Sequence, residues 1–162
     1  MKKLIVSFAL MVITLASYAQ VYKMYSTRNY HNQLRLNTMT GEVQQIQDDG
    51  QSWIICSARE ISGDKESRFC LYETQNMWTF ILLDSYNGRL WQVQYSTQDL
   101  DNLFCIPINK DELGSDNEKC IFSIQPLTSM YQYYLINDRT GDMWKFQWST
   151  KGDDYRWIEK FK

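Results

Sequence analysis

Three glycines set the frame of this chain. Gly41, Gly88 and Gly141 stand 47 and 53 residues apart, and each sits in the same neighbourhood. Four residues before them come Asn37, Asp84 and Asn137, and five before come Leu36, Leu83 and Ile136. Two residues after come Val43, Leu90 and Met143, five after Ile46, Val93 and Phe146, and six after Gln47, Gln94 and Gln147. Upstream, Tyr22 matches Phe69 and Phe122, and Met24 matches Leu71 and Ile124. A fixed period of this length marks a repeat architecture, in which each unit is one supersecondary element that buries its apolar faces on its neighbours. Residues present in every copy are then explained by the repeat and require no chemistry.

The first nineteen residues read as an export signal, not as fold. Lys2 and Lys3 precede an apolar stretch from Leu4 to Ala16, and Ser17 and Ala19 fit the small-residue rule for cleavage after Ala19. The apolar run is shorter than the ~20 residues of a membrane span. No later stretch is apolar enough to cross a bilayer. The expected location is therefore secreted or periplasmic, with one domain over 20–162 built of repeats at about 21–56, 68–107 and 120–161. Loss of Lys2 and Lys3 takes the formal charge from −2 to −4. A mildly acidic chain without a Lys/Arg cluster lacks the basic footprint that nucleic acid demands.

Within each copy the pattern is that of strands. In the second, Phe69–Tyr72, Trp78–Leu83, Arg89–Tyr95 and Leu103–Ile106 are rich in aromatic and β-branched residues and are separated by polar turns. Asp84 to Gly88 reads as a tight hairpin, with Asn87–Gly88 supplying positive φ and Asp84 holding backbone N–H groups. The first copy maps as Val21–Tyr25, His31–Leu36, Glu42–Gln47 and Trp53–Cys56, and the third as Ile121–Gln125, Tyr131–Ile136, Asp142–Trp148 and Trp157–Phe161. The linkers Ser57–Ser67 and Asn109–Lys119 are charged, as surface loops are. The expected fold is all-β, three repeats of about four antiparallel strands, closed as propeller-like packed sheets or as a β-trefoil. Trp78, Phe80 and Leu82 point one way and Ile81 and Leu83 the other, because side chains alternate along a strand. Strands apolar on both faces suit sheets packed face to face.

Four cysteines follow the signal. In an oxidising compartment they are expected to pair. Of three connectivities, Cys56–Cys70 with Cys105–Cys120 closes the two linkers and is the expected one.

The sequence resembles a loosely defined group of uncharacterised small secreted bacterial β-repeat proteins. The resemblance rests on Arg68–Phe69–x–Leu71–Tyr72–x–Thr74–x–Asn76–Met77–Trp78, on Leu82–Leu83–Asp84 and on Gly88–Arg89–x–Trp91–Gln92–Val93–Gln94. It spans all three copies, with departures at the Trp and Asn positions of the first and third. It implies a secreted β-repeat domain and brings no activity and no binding residues.

Motifs for chemistry are sparse. Asn37, Asp84 and Asn137 are placed to cap turns, and the Asn in two copies removes the charge that a calcium site would use. Gln47, Gln94 and Gln147 fit an amide ladder that satisfies backbone groups at a sheet end. No nucleophile elbow, metalloprotease motif or cofactor fingerprint occurs, so no metal, cofactor or catalytic residue is assigned. The first copy breaks the pattern: where the second has Trp78, Phe80, Leu82 and Trp91 it has His31, Gln33, Arg35 and Gln44. An unpaired buried Arg is costly, so this face is expected to be solvent-exposed, and His31, Gln33, Arg35 and Gln44, with Tyr30 at the rim, form the candidate ligand site. Tyr86, Trp53, Tyr155 and Trp157 are further rings that the repeat does not explain. The expected function is a secreted, non-catalytic binding or surface-interaction domain for a glycan or protein. The alternatives are a hydrolase using loop carboxylates such as Asp99, Asp101 and Asp153–Asp154, and a purely structural or inhibitor module.

Overall fold

A computed structural model describes residues 20–114 and 121–161. The expected signal segment and Cys120 lie outside the described residues. Each copy forms one four-stranded antiparallel sheet in sequence order. The first sheet is β1 (Tyr22–Ser26), β2 (Asn32–Asn37), β3 (Val43–Gln47) and β4 (Ser52–Cys56). The second is β5 (Phe69–Glu73), β6 (Thr79–Asp84), β7 (Leu90–Gln94) and β8 (Phe104–Pro107). The third is β9 (Phe122–Pro126), β10 (Gln132–Asn137), β11 (Met143–Gln147) and β12 (Trp157–Lys160). A one-turn helix, α1 (Ala58–Ile61), begins the first linker and sends Ile61 into the core. No closed barrel forms, which sets the trefoil aside.

The hairpins explain the anchor glycines. Gly41, Gly88 and Gly141 have φ of 78°, 76° and 75°, a region that a Cβ disfavours. Each glycine donates its N–H to the carbonyl of Asn37, Asp84 or Asn137. The side-chain oxygen of the same residue accepts from the turn, from Met39 and Thr40, from Tyr86, or from Arg139 and Thr140. Asp84 has a second role: it accepts from Nε and Nη2 of Arg68 at 2.9 and 2.8 Å, with both side chains buried.

The sheets stack in chain order with the second in the middle. One core cluster joins Leu34, Leu36 and Val43 of the first sheet to Phe80, Leu82, Trp91 and Val93 of the second. The other joins Ile81, Leu83 and Leu90 of the second to Tyr133, Leu135, Trp144 and Phe146 of the third. Strand β6 is buried along its whole length for this reason. Complete burial of such a side chain stabilises by about 1.5–3 kcal/mol. The contact is head to tail: the aliphatic face of one copy receives the aromatic face of the next.

Equivalent groups repeat at both junctions. Gln45 donates to the Ser96 carbonyl at 2.7 Å and accepts from the Ser96 amide at 3.3 Å. Gln92, its counterpart, accepts from the Ser149 amide at 3.2 Å. The Phe69 amide donates to Thr38 and the Phe122 amide to Ser85. The rings of Phe69 and Phe122 press against Gly41 and Gly88.

The cysteine pairing expected from the linkers is overturned. Cys56 is bonded to Cys105, with a Cα–Cα distance of 5.2 Å. Face-to-face stacking lays β4 over β8 and brings β5 against β2 instead. Cys56 therefore meets the fourth strand of the next sheet, while Cys70 on β5 belongs to the opposite edge. Sequence proximity across the linker does not survive the crossing. Neither Cys56–Cys70 nor Cys105–Cys120 forms, since each would need a sulfur already committed.

Candidate functional site

The five residues of the expected site fall into two places. His31 precedes β2 at the loop end of the first sheet, where its Nδ1 lies 2.8 Å from Asp48 Oδ2 and its ring packs on Tyr30 at a centroid distance of 3.8 Å. Tyr30 is 82% exposed. Gln33, Arg35 and Gln44 lie on the outer face of the first sheet. Gln33 is exposed, whereas Arg35 and Gln44 are half-buried. The Arg35 guanidinium donates to Gln44 Oε1 and lies over the Tyr22 ring at 5.3 Å, and Gln44 donates on to Glu42. This face is open, as the polar substitutions required.

Of the unassigned rings, Tyr86 is buried beneath Arg68 and Lys65 and presents nothing to a ligand. Tyr155 is exposed, and Trp53 and Trp157 are half-buried. Two of the loop carboxylates have local partners. Asp99 caps the 3-10 turn Leu100–Asn102 by accepting from the Asp101 amide, and Asp153 pairs with Arg156.

The loop end of the stack carries two related clefts between successive sheets, a feature that the sequence did not reveal. Between the second and third sheets lies an open cleft of about 530 Å³. Half-buried Trp78 and Phe104 line it, with Asn76, Gln94 and Asn102 from the second copy and Thr150, Asp153 and Arg156 from the third. Between the first and second sheets lie two adjoining hollows of about 310 and 220 Å³. They share Gln47 and Thr97 and are lined by Asn29, His31, Asp48 and Trp53. By the repeat period Asn29, His31, Gln47 and Thr97 are the counterparts of Asn76, Trp78, Gln94 and Thr150. The two clefts are one site built twice, with an imidazole in the first where the second has an indole.

The recurrent glutamines shape these clefts. Gln94 donates to the Asn102 carbonyl at 3.3 Å and Gln147 to the Tyr155 carbonyl at 3.1 Å, so each ties its strand to the following 3-10 turn. The expected backbone-satisfying role holds in the second and third copies. Trp78 is fixed by a tilted stack on Tyr95 at 5.3 Å, and burial raises the Tyr95 pKa above its ordinary value. Among the described residues no group of three or more His, Cys, Asp or Glu side chains is placed to hold a metal ion, and no helix is long and apolar enough to cross a membrane.

The arrangement offers ring faces beside side-chain amides in an open groove, with the Arg156 guanidinium held in its wall by Asp153 and the Ser149 carbonyl, which suits recognition of a hydroxylated ligand. Of the described residues lining the cleft between the second and third sheets, one, Asp153, is a carboxylate. No protein-family model, no curated protein and no solved structure matches this chain.

Proposed function

We propose that the chain is an exported, non-catalytic binding domain that takes up a glycan in the cleft between its second and third sheets. The observation that carries this reading is the pairing of Trp78 and Phe104 with Asn76, Gln94, Asn102 and Arg156 around one open cleft. A sugar ring has an apolar C–H face, which packs on an aromatic ring, and a rim of hydroxyls, which planar amides and guanidinium groups satisfy. The cleft volume falls in the range of small-ligand sites. The counterpart at His31, Gln47 and Trp53 gives a long polymer a second, weaker hold, which raises avidity without new contacts. Export is supported by the apolar Leu4–Ala16 segment ahead of Ala19 and by the Cys56–Cys105 bond.

The test is a glycan array probed with the exported protein, followed by calorimetry on the retained sugars. Trp78→Ala is expected to weaken binding by about tenfold or more, the scale of a lost aromatic anchor, and Arg35→Ala to leave it unchanged. A folded protein that retains no glycan refutes the reading. Consumption of a retained glycan favours the hydrolase alternative, with Asp48 and Asp49 in the cleft between the first and second sheets the first carboxylates to substitute.

A further inference from the structure

The two ends of the stack are the two halves of a junction that the chain already makes twice. At each internal junction a Phe ring presses on the hairpin glycine of the preceding copy, Phe69 on Gly41 and Phe122 on Gly88. A Cβ on Gly141, the third hairpin glycine, would meet nothing within 4 Å among the described residues. The remaining counterpart of the two Phe residues is Tyr22, 51% exposed at the other end of the stack. The backbone seam follows the same register. Thr38 and Ser85 carbonyls receive the Phe69 and Phe122 amides, and their counterparts at the ends are the Asp138 carbonyl and the Tyr22 amide.

The polar clasp is also split between the ends, with a change of chemistry. Gln45 and Gln92 hold Ser96 and Ser149. The third copy has Lys145 in place of this glutamine, and the first copy has Asp49 in place of the serine, with Asp48 beside it. A neutral amide clasp inside the chain becomes a cation, Lys145, at one end and an acid, Asp49, at the other, Asp48 being taken up by His31. The surrounding faces match in part. Tyr134, Ile136 and Met143 occupy the aliphatic-face positions of the third sheet, and on the outer face of the first exposed Met24 and Ile54 stand with Ile46 beside exposed Gln33 and half-buried Arg35, whose guanidinium keeps Gln44 as its partner within the sheet.

We propose that the outer face of the third sheet docks on the outer face of the first sheet of a second copy of this chain, continuing the stack head to tail. Tyr22 of the second copy seats on Gly141, and Lys145 pairs with the second copy's Asp49. The junction is heterologous, so it generates an open series of copies. Its footprint is modest. Four strands about 4.8 Å apart and five residues of about 3.3 Å each cover about 300 Å² in projection. That is less than the roughly 800 Å² per partner of a standard stable interface, so the association is weak and reversible, and it is strengthened where copies are crowded on a surface.

Sedimentation velocity on the exported protein, from about 10 μM to about 1 mM, tests this. The expected average mass rises with concentration without levelling at the dimer, and falls with added salt. Lys145→Glu and Asp49→Lys are both surface changes, and circular dichroism reports whether each variant is folded. Each is expected to weaken association by about tenfold, and the double variant to recover it, as a charge pair in one interface requires. A monomer at every concentration overturns the proposal. So does a mass that levels at the dimer, or single variants that associate like the parent.

Discussion

The three hairpin glycines share one backbone conformation but not one environment, and replacing each by alanine separates the two. At φ near +75° an L-residue costs about 1–2 kcal/mol. The less flexible unfolded chain returns about 0.4–1 kcal/mol. Gly141→Ala, whose added methyl meets nothing within 4 Å, should therefore cost about 1 kcal/mol. At Gly88 the methyl would lie 3.1 Å from the Phe122 ring and 3.2 Å from Leu113, contacts that a small ring shift relieves, so the cost rises to about 1–2 kcal/mol. At Gly41 it would lie 2.4 Å from Ile61 Cγ2 and 3.0 Å from Phe69. Ile61 is buried, and such overpacking adds about 1–3 kcal/mol, for a total of about 2–4 kcal/mol. Urea unfolding of the three variants measures the series, with the midpoint shift read at constant m-value. Equal losses at all three sites would refute the role of the next copy's Phe ring, and a largest loss at Gly141 would refute the stacking order itself.

Non-reducing peptide mapping should return the Cys56–Cys105 linkage. With the two cysteines separated by 49 positions in the sequence, Cys56→Ser should cost up to about 4 kcal/mol in the chain-entropy account. Arg68→Ile should destabilise by about 3–5 kcal/mol, because it strands the buried Asp84 carboxylate. Adding Asp84→Asn should recover most of that loss in thermal unfolding, since the pair then matches Ile121–Asn137 of the third copy. Burial pushes Tyr72 up from 10.0 to about 12, and burial also raises Tyr95 and Tyr133. Their folded pKa values exceed the unfolded ones, so this contribution is complete below pH 10 and is lost as pH rises toward about 12. Unfolding free energies measured across that window should decline, and a flat profile would count against the burial of these phenols.

Much of the fold was legible because the period exposed it. Strand ends read from the sequence lie within a residue or two of those observed, since turn residues such as Asn37, Asp84 and Asn137 and their glycines punctuate every copy. The two-faced apolarity of Trp78–Leu83 correctly implied a sheet covered on both sides. The cysteine pairing was not legible, because it depends on which edges of two sheets overlie one another, and that is set by the crossing of the linker. The clefts were not legible for a related reason: Gln94 and Arg156 belong to different copies, and no periodicity within a copy brings them together. The polar face of the first copy was read correctly as open, yet His31 sits at its loop end and Arg35 in its middle, because His31 ends a turn and Arg35 lies within β2.

The Cys56–Cys105 bond also sets a problem of timing. A chain that emerges N-terminus first presents Cys56 first and Cys70 next, before Cys105 appears. An oxidant that acts on thiols as they emerge would join the first two, and thiol–disulfide exchange would then have to undo that bond. The second sheet is what brings the correct sulfur into range, so oxidation must wait for it or be corrected after it. Yield of the folded, oxidised protein should therefore depend on disulfide isomerisation more than on oxidising power.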